Sequence, residues 1–161
     1  MVNLPAIALT PATDDELVEF IAAQKVSYLR DLIEEGGLSQ AAAQANSDAT
    51  WSGLVPDGIH PADGNEIMIG RDVDGQRVGV LWMAVRSQGG EDYAWIYDVE
   101  VDPQFRNRGY GRALMIAAEE WSRGKGLTSL QLNVFGGNTA ARALYRSLGF
   151  VENAVLMSKH V

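Results

Sequence analysis

The sequence predicts an α/β (α+β) chain with a mixed central sheet, in which an antiparallel meander leads into one parallel strand pair, flanked by about four helices. Three observations carry this expectation. Runs 66–73, 76–86 and 93–101 are rich in β-branched and aromatic residues and are separated by short turn segments, the pattern of a meander. A full helical pattern at 109–123 then separates run 93–101 from the next β-type run, 127–134, so those two strands should be parallel and joined by a right-handed crossover. Helical periodicity also fills the region before the meander and recurs at 140–148.

Taken in order, Ile7 to Leu9 alternates weakly and predicts a short first strand. Thr13 stands three residues before Glu16, a capping box with acids in the first turn. Leu17, Phe20, Ile21, Gln24, Tyr28 and Leu32 trace one face of the helix that follows to about Glu35, where Gly36-Gly37 stops it. Residues 38–49, rich in Ala and Gln, predict a second helix packed on the first. Thr50 to Asn65, dense in Gly, Pro, Asp and Asn, reads as a long loop. Within it Trp51 and His60 are an aromatic anchor and a solvent-exposed histidine, or else line a substrate entrance. Asp74-Gly75 signals a type I′ hairpin, and 87–92 joins the next two strands. Gly124-Lys125-Gly126 ends the third helix, Gly149 ends the fourth, and Phe150 to Val161 predicts a last strand or hairpin arm.

The totals bound the class. A chain of 161 residues, 47% hydrophobic, suits a single domain over 1–161. No apolar run reaches the length of about 18 residues that spans a membrane, and Met1-Val2-Asn3-Leu4-Pro5 lacks the regions of a signal peptide, so a cytoplasmic protein is expected. The absence of cysteine excludes disulfides, thiolate metal sites and cysteine nucleophiles, and leaves His60 and His160 as the imidazoles. A net charge of −8 argues against nucleic-acid binding and suits a cationic substrate, or serves solubility alone.

The stretch Val99-Glu100-Val101-Asp102-Pro103-Gln104-Phe105-Arg106-Asn107-Arg108-Gly109-Tyr110-Gly111-Arg112 runs from a strand, through a basic glycine-bearing loop, into a helix N-terminus. Unpartnered first-turn N–H groups and the helix dipole favour an anion there. Gly109 and Gly111 admit close approach, and Arg106, Arg108 and Arg112 add positive charge: a pyrophosphate cradle. A P-loop would need the missing Lys-Ser/Thr. A Rossmann fingerprint would need a third glycine where Leu114 stands.

This segment, followed by Asn138-Thr139-Ala140-Ala141-Arg142-Ala143-Leu144-Tyr145-Arg146-Ser147-Leu148-Gly149-Phe150, resembles the two signature segments of the GCN5-related N-acetyltransferase (GNAT) superfamily. The match is sharp from about Ile96 to Phe150; before that it covers only the order of elements. The resemblance implies a GNAT fold whose two parallel strands splay apart, with acetyl-CoA as cosubstrate in the wedge and no metal. It implies that Val99, Glu100 and Val101 pair with the pantetheine arm and that Arg106, Asn107, Arg108, Gly109, Tyr110, Gly111 and Arg112 hold the pyrophosphate. Asn133, Asn138, Ala141 and Tyr145 complete the coenzyme positions. The Val101 N–H would hold the developing oxyanion. Tyr145 resembles the general acid, its alternative being a core aromatic. Asn133 stands where some members carry a glutamate base and cannot accept a proton. Asp98 and Glu100, two apart and so on one face, take the proton directly or through water, or else one or both face solvent or bind a cationic substrate. The implied activity is direct transfer of acetyl to a primary amine, of a small molecule or a peptide, in a ternary complex. The alternative is a coenzyme A-binding or sensing module without turnover. Exposed edge strands in this fold also suggest a homodimer.

Overall fold

A computed structural model describes residues 4–157 and 159. The chain divides into two compact units, Met1–Gln131 and Leu132–Val161.

In the first unit the helices start where capping residues stand. Helix α1 (Asp14–Glu34) opens on the expected capping box: the Thr13 hydroxyl accepts from the Glu16 N–H at 3.3 Å, and the Glu16 carboxylate accepts from the Thr13 N–H at 3.0 Å. Helix α2 (Gln40–Leu54) is capped by Ser39. It absorbs the first part of the expected 50–65 loop, because Trp51 is 7% exposed and its indole packs edge-on against Tyr28 and beside Trp82. Tertiary burial of one large side chain outweighs the poor helix propensity of Ser52 and Gly53. Trp51 is therefore an aromatic anchor. His60 is exposed; its ring lies 2.7 Å from Asp57 and 3.3 Å from Asp14, which ties the remaining loop to the first turn of α1.

Five strands form one sheet in the order β1 (Ala8–Pro11), β2 (Asn65–Arg71), β3 (Arg77–Gln88), β4 (Glu91–Val101), β5 (Leu130–Leu132). The first three pairings are antiparallel and the last is parallel. The type I′ turn expected at Asp74-Gly75 is not there. Among the described residues Asn107 is the one non-glycine with positive φ, so Asp74 does not adopt the conformation that turn requires. Gly75 donates instead to the Asp72 carbonyl, the Asp72 carboxylate accepts from the Asp74 and Gln76 N–H groups, and the ladder shifts register beside Arg71. Both glycines of Gly89-Gly90, between Gln88 and Glu91, have positive φ, so a type I′ geometry fits there.

Ile67, Ile69, Val80 and Trp82 face α1 and α2, packing with Leu17, Phe20, Ile21, Trp51 and Val55. On the opposite face lies helix α3 (Tyr110–Gly124), docked through Leu114, which is 0% exposed. Leu114 sits over Gly70 and Gly79, register partners on β2 and β3. A methyl built on Gly70 would lie 2.7 Å from Leu114 Cδ2, and one on Gly79 would lie 3.0 Å from Cδ1 and inside contact distance of the Glu100 carbonyl oxygen. The glycine pair thus forms a slot that sets how closely α3 approaches the sheet.

The second unit contains helix α4 (Thr139–Ser147), capped by Asn138 and closed by Gly149 with φ 91°. The strand expected from Phe150 is absent over 150–157; positions 158, 160 and 161, His160 included, lie outside the described residues. The Phe150 N–H is used by the helix end, donating to the Tyr145 carbonyl, and Glu152 is held by Arg142 and Arg146, so side-chain ion pairs take the place of a ladder. No helix among the described residues is long and apolar enough to cross a membrane.

Candidate functional site

The site is built on β4 because that strand is fastened to β3 along one edge while its last residues run past the end of β5 on the other. Toward β3, Asp102 N–H donates to the Val78 carbonyl at 2.9 Å, and the Asp102 carboxylate pairs with Arg77 at 3.4 Å. In an antiparallel ladder adjacent residues direct their amides to opposite sides, so the Val101 N–H and carbonyl face the other edge. There Arg106 Nε donates to the Val101 carbonyl at 3.1 Å. β5 spans Leu130–Leu132, and Ser129, just before it, accepts from the Ala94 N–H near the beginning of β4. At one residue per step the ladder ends short of Val99. Among the described residues, the edge Val99–Val101 has no strand partner.

The strand is also bulged. Trp82 faces Asp98 while Met83 faces Ile96, leaving Tyr97 as the extra residue. Its ring lies 5.0 Å from that of Trp82 and 6.4 Å from that of Trp95, and Arg86 stacks over Trp95 and Tyr97. Asp98 and Glu100 are register partners of Trp82 and Val80, which places both carboxylates on the α1 face. Gln24 of α1 donates from Nε2 to Asp98 Oδ2 at 3.0 Å. Burial first, and then the charge of Glu100, push the Asp98 carboxyl up to about 7, against a smaller opposing pull from the Val99 N–H.

Beyond β4 the chain makes a short 3-10 turn, Pro103–Phe105, and reverses through Asn107 (φ 58°) and Gly109 (φ 88°), the N-cap of α3. Ala113 N–H donates to the Gly109 carbonyl at 3.0 Å, so the amides of Tyr110 and Gly111 point out of the helix start. Edge-to-face packing of Phe105 on Tyr110 braces the loop. Pro5 fills the space on the other side of Gly109, 3.1 Å from where a methyl would stand. Arg106 and Arg108 are exposed and Arg112 is half-buried.

In the second unit Asn138 Oδ1 accepts from the Ala141 N–H at 3.1 Å, and the half-buried Tyr145 stacks on Phe150 with ring centroids 5.7 Å apart. Asn133 is exposed just past β5. Sequence reasoning missed the Tyr97 bulge and the Gln24–Asp98 bond. The signal for the second was a lone amide in the otherwise apolar stripe of α1.

The model for the Acetyltransferase (GNAT) family matches residues 38–150. The uncharacterized N-acetyltransferase YycN of Bacillus subtilis is 28% identical over 153 residues, 95% of this chain and 97% of that protein. The crystal structure of YycN from Bacillus subtilis, 28% identical, superposes with a TM-score of 0.86 over 97% of this chain and 99% of that one. A mycothiol acetyltransferase of Propionibacterium freudenreichii is 28% identical over 85% of this chain, which spans 40% of that protein's length. The structure of AAC(6')-Iy, solved with a bisubstrate analog of coenzyme A and acetylneamine, shares the fold at a TM-score of 0.58 and 19% identity over 97% of this chain and 98% of that one.

Proposed function

Because this chain belongs to the acetyltransferase (GNAT) family, we propose that it transfers the acetyl group of acetyl-CoA to a primary amine by direct attack in a ternary complex. The observation that carries the reading is the open β4 edge with the Val101 N–H facing it, ending at the glycine-capped start of α3. An extended pantetheine arm can add to Val99, Glu100 and Val101 as a strand would, and the amides and arginines from Arg106 to Arg112 then meet the pyrophosphate. The family match crosses from the first unit into the second, which supports reading 1–161 as one acetyltransferase domain.

The chemistry follows. The amine nitrogen attacks the thioester carbonyl, and the Val101 N–H stabilises the oxyanion. The C–S bond breaks and the departing thiolate takes up a proton, a role for which the family resemblance nominates Tyr145, and the proton lost by nitrogen goes to Asp98, with Glu100 beside it. Asn138 caps α4, and the family resemblance assigns it, with Asn133 and Ala141, to the coenzyme. Two carboxylates and a net charge of −8 favour a cationic acceptor.

The test is release of free thiol from acetyl-CoA against polyamines, aminoglycosides, amino acids and peptides. Turnover with a cationic amine is expected. Tight acetyl-CoA binding with no turnover on any of them would refute catalysis and leave a coenzyme-sensing module.

A further inference from the structure

Gln24 interrupts an apolar helical stripe: Leu17, Phe20 and Ile21 before it on α1 are all buried against the sheet, and Tyr28 one turn later packs on Trp51. A glutamine in such a stripe must have its amide satisfied. It reaches across to β4, 74 residues away in sequence, and donates to Asp98 Oδ2 at 3.0 Å. The surroundings of that carboxyl are otherwise narrow. From β4 come Glu100, the charged neighbour, and Tyr97 on the bulge; from β3 come Trp82 opposite Asp98 and Val80 opposite Glu100. α1 presents Gln24, with Tyr28 beyond it bonded to Asn46 and within reach of Thr50. α2 presents the Trp51 indole, packed on Trp82.

We propose that Gln24 is a positioning residue for the acetyl transfer: its amide fixes Asp98 Oδ2 and directs the second carboxylate oxygen to the acceptor amine. This rests on the reading of Asp98 as the proton acceptor. The physical reason is the difference between two hydrogen bonds. An N–H donated to a carboxylate is charge-assisted and roughly twice as strong as one to a neutral acid. Gln24 therefore opposes the burial and the Glu100 charge that favour protonation. A leucine there would fill the same volume without the donor, and a glutamate would replace it with a second acid competing for one proton.

The experiment is a carbon-13 carboxyl titration of Asp98 by NMR in the unliganded full chain, for wild type, Gln24→Leu and Gln24→Glu, with Asp98→Asn to assign the signal. The midpoint should rise by about half a pH unit or more in Gln24→Leu, and further in Gln24→Glu. A purely packing role predicts no movement in Gln24→Leu, so an unmoved midpoint, or equal midpoints in the two variants, overturns the proposal. Where an accepted amine is in hand, kcat should fall in Gln24→Leu with KM for acetyl-CoA unchanged, and the rising limb of the pH profile should move with the NMR midpoint. Failure of every amine to turn over refutes the proposed function, whereas the titration order alone decides Gln24.

Discussion

The slot under Leu114 yields a prediction in which two damaging changes repair each other. Leu114 is fully buried, and beneath its two methyls lie glycines and not side chains. Leu114→Ala removes the side chain and leaves a void whose floor is backbone and cannot collapse into it, so the cost should sit toward the upper part of the usual range of about 2–5 kcal/mol, near 4. Gly70→Ala places a methyl 2.7 Å from Cδ2, roughly 1 Å closer than carbon atoms pack. Overpacking of that kind costs about 1–3 kcal/mol, partly offset by about 0.5–1 kcal/mol from the lost freedom of glycine in the unfolded chain. In the Leu114→Ala background the obstructing methyl is gone. The nearest remaining neighbours of the Gly70 methyl are Val78 Cγ2 at 3.5 Å and the Gly79 carbonyl oxygen at 3.7 Å, both ordinary contacts. Gly70→Ala should then be neutral or stabilising, giving a coupling of about 2 kcal/mol or more across the cycle. Urea unfolding of the four proteins, read at unchanged m-value, measures it. If Gly70→Ala costs the same in both backgrounds within about 0.5 kcal/mol, the slot does not fix the helix and the reasoning fails.

Three further predictions concern the site. Asp98 carries a folded-state pKa of about 7, above its unfolded value, so the folded chain holds a proton that the unfolded chain releases; stability should fall as pH rises from about 4 to 7. Asp98→Asn should flatten that slope, gaining up to about 4 kcal/mol relative to wild type at pH 8 against pH 4 in paired urea titrations, and should lose about 10²-fold in kcat/KM together with the rising limb near pH 7. A wild-type stability that climbs over this window would contradict the buried-acid reading. Gly109→Trp, at a position with φ 88° and Pro5 against it, should abolish acetyl-CoA binding by calorimetry while circular dichroism is retained; normal binding would remove the cradle from its role. Tyr145→Phe should cut turnover about 10²-fold with acetyl-CoA affinity unchanged, and an unaffected rate would leave Tyr145 as a packing partner of Phe150.

What the sequence revealed depended on how local the cause was. The Thr13–Glu16 capping box, the meander and the Gly109 turn are set by neighbours within a few residues, and periodicity and turn chemistry expose them. The end of α2 was misplaced because Trp51 is held by Tyr28 and Trp82, contacts that no window along the chain contains. The turn at 72–76 differs because the Asp72 carboxylate caps two amides, relieving Asp74 of a positive φ. At the candidate site the motif residues from Val99 to Arg112 were legible as a unit. The Tyr97 bulge and the Gln24–Asp98 bond were not, since each is decided by strands and helices that meet only after folding.

The open edge of β4 is bounded on both sides, by the bulge at Tyr97 and by the turn that begins at Pro103. Between them the amides that face this edge belong to Val99 and Val101, within a stretch of about 10 Å at strand rise. A sheet edge of ordinary length is a template for another strand and invites one chain to pair with the next. An edge this short rewards only a short extended molecule with amide-like groups at peptide spacing. In the proposed reading its length acts as a filter, admitting a slender thioester arm by backbone pairing while offering a neighbouring protein only a short ladder.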